Sequence, residues 1–139
     1  MPDALIFPDP LGGRANFLPP PFMCSWTNGG LDSANVRITG ELDIATTPQL
    51  QETLLEPQLQ AQLVVLDMRE VAFMDSSGVH AIVNASIRAR EVGHRLVLLR
   101  GGLDVDRVFT LTGSAKDVEI VDLDPILRVA ELRVAEEHS

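Results

Sequence analysis

Leu63-Val64-Val65-Leu66 is a run of four apolar residues without a polar interruption, and Leu96-Val97-Leu98-Leu99 is a second. Short continuous runs of this kind mark strands buried on both faces, the habit of inner strands in a parallel sheet. Between them the period changes. Val79, Ile82, Val83 and Ile87 recur at the i, i+3, i+4, i+8 spacing of one buried helical stripe. Asp75-Ser76 suits the start of that helix, and Gly93 suits its C-terminal cap. Strand, helix and strand in this order imply a crossover connection, and right-handed crossovers lay helices against a parallel sheet.

The alternation extends in both directions. Phe22, Cys24 and Trp26 alternate with Met23, Ser25 and Thr27, and Val36, Ile38 and Gly40 alternate with Arg37 and Thr39. Asn28-Gly29-Gly30 between them predicts the turn of a hairpin, because these residues tolerate positive φ. Thr47-Pro48 reads as an N-cap followed by a first-turn proline, and Pro57 as the end of that helix, with Leu50, Leu54 and Leu55 facing inward. A short helix carrying Val105, Val108 and Phe109 is expected to end at Gly113, followed by a strand from Val118 to Leu123. Asp124-Pro125 then opens a last helix running into Glu136-Glu137. The order β-β-α-β-α-β-α-β-α places the chain in the α/β class: a mostly parallel central sheet, an antiparallel edge hairpin at the N-terminus and about four helices.

Residues 22–137 are thus read as one domain, in keeping with a chain of 139 residues. Residues 1–21 form a proline-rich arm carrying Pro2, Pro8, Pro10, Pro19, Pro20 and Pro21. Proline fixes φ and removes a backbone donor, so this segment suits neither a helix nor an inner strand. Its Leu5, Ile6, Phe7, Phe17 and Leu18 can pack on the domain or on a second copy, which makes the arm a route to a homodimer.

Charge removes several function classes. Asp and Glu number 20 against 11 Lys and Arg, a net charge of −9, and Lys116 is the sole lysine. Nucleic acids and anionic membranes are bound through basic patches, so neither is expected as a partner. No apolar run approaches the roughly 18–20 residues that span a bilayer, and the N-terminus lacks the basic start of a signal peptide, so a cytoplasmic location is expected. Cys24 is the single cysteine, which excludes an internal disulfide and a cysteine-rich metal site. His80, His94 and His138 have no ligand spacing and read as surface histidines. Neither a phosphate-cradling glycine loop nor a G-x-S-x-G elbow is present. No cofactor, metal or catalytic activity is expected.

Two segments remain, both leaving a strand and entering a helix: Gly40-Glu41-Leu42-Asp43-Ile44-Ala45-Thr46-Thr47-Pro48 and Asp75-Ser76-Ser77-Gly78. In a parallel sheet such loops gather along one edge, where ligands and partners bind, so Asp43 and Ser76 are expected to be near neighbours. Helix capping accounts for Asp75, Ser76 and Ser77 by itself. Capping is compatible with a switch, because a phosphate on a first-turn serine meets free N–H groups and a favourable dipole while adding about −1.5 to −2 charges.

These segments carry a family resemblance. Gly40-Glu41-Leu42-Asp43 with Thr46 resembles the first block of STAS-domain anti-sigma-factor antagonists. The stretch from Val65 to Gly78 resembles their central strand and phosphorylation loop, and Gly93–Leu98 and Arg107–Gly113 resemble the later blocks. The resemblance covers about residues 22–130. It implies a partner-switching cycle: the unphosphorylated protein binds an anti-sigma factor with serine-kinase activity and frees the sigma factor, phosphorylation at Ser76 ends the complex, and a PP2C-type phosphatase resets it. Ser77 is the lesser acceptor. Asp43, Thr46, Asp75, Ser76, Ser77, Gly78 and His80 would form the partner-binding face. His80 departs from the small or uncharged residue usual in relatives, and the arm is longer than in minimal members. Two other functions fit the same fold: an unphosphorylated STAS scaffold in a transport or stress-sensing assembly, and a nucleotide- or ligand-sensing STAS domain.

Overall fold

The computed structural model describes residues 21–122. Strands β1 (Met23–Gly30), β2 (Ser33–Leu42), β3 (Leu63–Met74), β4 (Arg95–Leu99) and β5 (Glu119–Val121) alternate after the first hairpin with helices α1 (Thr47–Gln60), α2 (Ser76–Glu91) and α3 (Leu103–Leu111). They form one sheet in the order β1-β2-β3-β4-β5. β1 is antiparallel to β2, and each later pair is parallel. The α/β class and the edge hairpin expected from sequence are therefore present. The last helix expected, over 125–137, lies outside the described residues, as does most of the arm.

The strand order never reverses direction, so successive right-handed crossovers bring α1, α2 and α3 to the same face. Leu50 and Leu54 of α1, Val79 and Ile82 of α2, and Val105 and Phe109 of α3 share one cluster with Val36, Ile38, Val64, Leu66, Leu96 and Leu98. Leu63, Val65, Val97 and Leu99 make a separate cluster with Val121. The two apolar runs contribute alternate residues to the two clusters, as strands buried on both faces must.

Local departures from the sequence expectations have physical causes. The hairpin turn falls on Leu31-Asp32, with φ of 54° and 60°, rather than on Asn28-Gly29-Gly30. Pairing Cys24 with Ile38 and Trp26 with Val36 keeps their side chains against the core, and register follows the buried pattern. Asn28 and the glycines are absorbed in an irregularity of β1, where Asn28 Oδ1 accepts the Gly30 N–H at 2.8 Å. The cap of α1 is Thr46, one residue before the expected Thr47.

Helix α1 also passes through Pro57 to Gln60. The missing N–H there is offset because the proline is buried and Gln58 Nε2 donates to the Ala85 carbonyl at 3.0 Å, tying the last turn to α2. In α2 the buried face comprises Gly78, Val79, Ala81, Ile82, Ala85, Ser86 and Ala89, while Ile87 is 40% exposed. Small residues let the helix approach closely, so branched residues alone mark one edge of this face and not its centre. Leu55 of α1 is likewise exposed instead of inward.

Candidate functional site

β2 and β3 outrun the rest of the sheet. Pairing of β3 with β4 stops at Asp67 opposite Leu99, but β2 and β3 stay paired to Leu42 opposite Met74. Two register shifts bend this extension, one between Arg37 and Thr39 and one between Gly40 and Glu41. Gly40 sits there with φ of 90°, a conformation a Cβ would strain. The two sequence segments singled out above leave the sheet side by side at its tip. The Asp75 N–H donates to the Leu42 carbonyl at 3.2 Å. The expected neighbourhood of the Asp43 and Ser76 loops is realised in this way.

Asp43 holds its own loop together. Its Oδ1 accepts the N–H of Ala45 at 3.0 Å and of Thr46 at 3.1 Å. Its carbonyl accepts the Thr47 hydroxyl at 2.6 Å and the Thr47 N–H at 2.8 Å. Thr46 Oγ1 accepts the Asp43 N–H at 2.9 Å and donates to the Glu41 carbonyl at 2.8 Å. Such side-chain to backbone bonds fix a turn without regular structure. The half-buried Asp43 and Thr46 shape the loop, and the exposed residues it presents are Ile44 and Ala45.

Asp75 is the N-cap of α2. Its Oδ1 accepts the Ser77 N–H at 2.9 Å and the Gly78 N–H at 3.3 Å, satisfying two donors the helix start leaves open. Ser76 is the first helical residue and is exposed, Ser77 is half-buried, and His80 is exposed one turn on. Gly78 is buried. A Cβ on it would lie 2.7 Å from Met74 Cγ and 3.0 Å from Leu42 Cγ, so glycine is what lets the helix start close on the strand ends. Gly78 therefore supports the site from beneath and does not itself form its surface.

Sequence reasoning missed three contributors: the Leu42 carbonyl, Thr47 and the outward Ile44. A threonine four residues after an aspartate in a strand-to-helix loop was the available signal for Thr47. The Leu42 bond depends on register and carried no signal. A cavity of about 230 Å³ between Leu55, Gln58, Leu59, Arg88, Ala89 and Val92 lies at the opposite end of α2. Among the described residues no cluster of three His, Cys, Asp or Glu side chains can hold a metal ion. No described helix is long and apolar enough to cross a membrane.

The chain is 31% identical over 94 residues to the anti-sigma-B factor antagonist of Listeria monocytogenes, covering 67% of this chain and 82% of the relative. Its fold is similar to that of the anti-sigma factor antagonist SpoIIAA in its unphosphorylated form, with a TM-score of 0.67 at 21% identity over 81% of this chain and 96% of that one. The fold is also similar to part of SLC26A9, with a TM-score of 0.60 at 15% identity over 76% of this chain and 21% of that one. Residues 29–126 match the STAS domain family, and with a paired strand tip, a capped helix start and relatives of this kind, the chain belongs to that family.

Proposed function

We propose that this protein is an anti-sigma factor antagonist: unphosphorylated, it binds an anti-sigma factor with serine-kinase activity and frees the sigma factor, and phosphorylation at Ser76 ends the complex. The single observation behind the choice of serine is position. Ser76 is exposed at the first residue of α2, and among the described residues no hydrogen bond engages its hydroxyl. Ser77 is half-buried with its N–H on the Asp75 cap. In the transfer, Ser76 Oγ attacks the γ-phosphorus of ATP, its bond to the β-phosphate oxygen breaks, ADP leaves, and the hydroxyl proton passes to a base of the kinase. The antagonist is then substrate and ligand, not catalyst.

The phosphate meets a helix start whose Ser77 and Gly78 N–H groups are already held by Asp75. Two anions compete for those donors, and the phosphate is pressed outward, toward whatever covers the tip. A partner fitted to a hydroxyl must then enclose an unpaired dianion, which is costly in a desolvated interface. Hydrolysis by a PP2C-type phosphatase restores the hydroxyl. Within this reading the docking face comprises Asp43, Thr46, Asp75, Ser76, Ser77 and His80, with Gly78 beneath it. The setting is cytoplasmic, and the proline-rich arm supports a homodimer.

Intact-mass analysis after incubation with the cognate kinase and ATP tests the assignment. One phosphate is expected on wild type and on Ser77→Ala, and none on Ser76→Ala. A scaffold function predicts no phosphate on any variant, and a nucleotide sensor predicts saturable ATP or GTP binding in equilibrium dialysis.

A further inference from the structure

Ile44 is 76% exposed and Phe73 is 48% exposed. Solitary exposed apolar residues need no explanation, but these two share the strand tip that carries Ser76. Phe73 lies opposite Glu41 and Met74 opposite Leu42, two residues and one residue before the loop that presents Ile44. That loop is held by the Asp43, Thr46 and Thr47 hydrogen bonds, so Ile44 is displayed on a fixed backbone. A loop backbone that is already ordered has little further freedom to lose on binding, a condition that favours an interface anchor.

Charge identifies the occupant. No Lys or Arg occurs between Ile38 and Met68 or between Glu70 and Ile87. Arg69, which separates the two stretches, is held by Asp67 at 3.0 Å. The tip therefore carries Glu41, Asp43 and Asp75 around its apolar residues without an adjacent unpaired cation on either stretch. A second copy would bring the same carboxylates and be repelled. The complement is a surface whose apolar pocket is rimmed by Lys or Arg.

We infer that Ile44, on the strand tip that also exposes Phe73, is a phosphorylation-independent anchor that seats in a basic-rimmed apolar pocket of the anti-sigma factor, separate from the Ser76 switch. This rests on the antagonist reading above. The anchor supplies affinity to the complex in general, and Ser76 supplies the change in affinity. Loss of the anchor lowers binding without disabling transfer, the pattern of a uniform binding contribution.

The test titrates the full chain against each purified serine-kinase anti-sigma factor of the source organism. Ile44→Ala should weaken binding about tenfold or more, as a central anchor does. Its melting should be unchanged, and Ile44→Leu should restore most of the affinity. It should also raise KM for phosphorylation with kcat kept, and wild-type binding should weaken as salt rises. If Ile44→Ala binds like wild type while Ser76→Asp is released, the anchor is wrong and the antagonist reading stands. If Ile44→Ala instead abolishes self-association, the patch joins two copies and the inference falls. If no such kinase binds wild type, the antagonist reading fails and takes the anchor with it.

Discussion

The Asp75 N–H and the Leu42 carbonyl, 3.2 Å apart, extend the β2–β3 ladder one step beyond its last pair, Leu42 with Met74. This bond couples the loop that Asp43 shapes to the helix start that Asp75 caps.

Asp75→Ala removes an N-cap that satisfies two backbone donors. Loss of such a cap costs about 1 kcal/mol, which lowers the melting temperature of a domain this size by roughly 4 °C. Asp75→Asn keeps an acceptor oxygen and should recover most of the loss. Thermal unfolding followed by circular dichroism separates the variants, and equal melting of Asp75→Ala and wild type would show that the cap contributes nothing.

Asp43→Asn and Asp43→Ala distinguish loop shape from charge. Both N–H groups of the turn go to Asp43 Oδ1, an acceptor that an asparagine amide reproduces and alanine does not. Partner affinity should therefore be largely kept in Asp43→Asn and lost about tenfold in Asp43→Ala, a difference of roughly 1.4 kcal/mol. Equal loss in both variants in a binding titration would assign the effect to the charge.

Gly78→Ala places a methyl group 2.7 Å from Met74 Cγ. Overpacking of this kind costs about 1–3 kcal/mol, and a urea titration should show the midpoint lowered with the slope kept. A midpoint at the wild-type value would mean that the helix start shifts freely.

Burial pushes the Cys24 thiol up from its ordinary value of 9.0, opposed by a hydrogen bond to Thr53. The folded protein therefore keeps its thiol protonated at neutral pH, and alkylation should be slower than in the unfolded chain. Because the folded-state value is raised, the stability that this group contributes is complete below the unfolded value and lost as pH rises through the folded one. Denaturation midpoints at successive alkaline pH values in wild type and Cys24→Ser measure this, and identical pH profiles would contradict it.

Much of this fold was legible because strand and helix periods are hard to confuse where branched residues cluster. Leu63–Leu66 and Leu96–Leu99 fixed two inner strands, and Asp75 marked the start of α2. What stayed hidden depends on tertiary context. The turn at Leu31-Asp32 follows from keeping Trp26 opposite Val36, which no local signal near Leu31 encodes. Pro57 reads as a stop in any local rule, yet its helix continues because its ring is buried and Gln58 reaches Ala85. At the site, the capping by Asp75 was readable, but the use of Asp43 inside its own loop became visible only with its hydrogen bonds, which turns attention from those carboxylates to Ser76 and Ile44.

The switch itself is tested most directly by the affinity of the anti-sigma factor for four forms of the chain: wild type, the Ser76-phosphorylated protein, Ser76→Asp and Ser76→Ala. Wild type and Ser76→Ala should bind alike. The phosphorylated protein and Ser76→Asp should bind about a hundredfold more weakly, a difference of roughly 2.7 kcal/mol, with circular dichroism spectra and melting temperatures close to wild type. Phosphorylated protein that binds as tightly as wild type, or that loses binding only by unfolding, would contradict a switch acting through charge and shape at the start of α2.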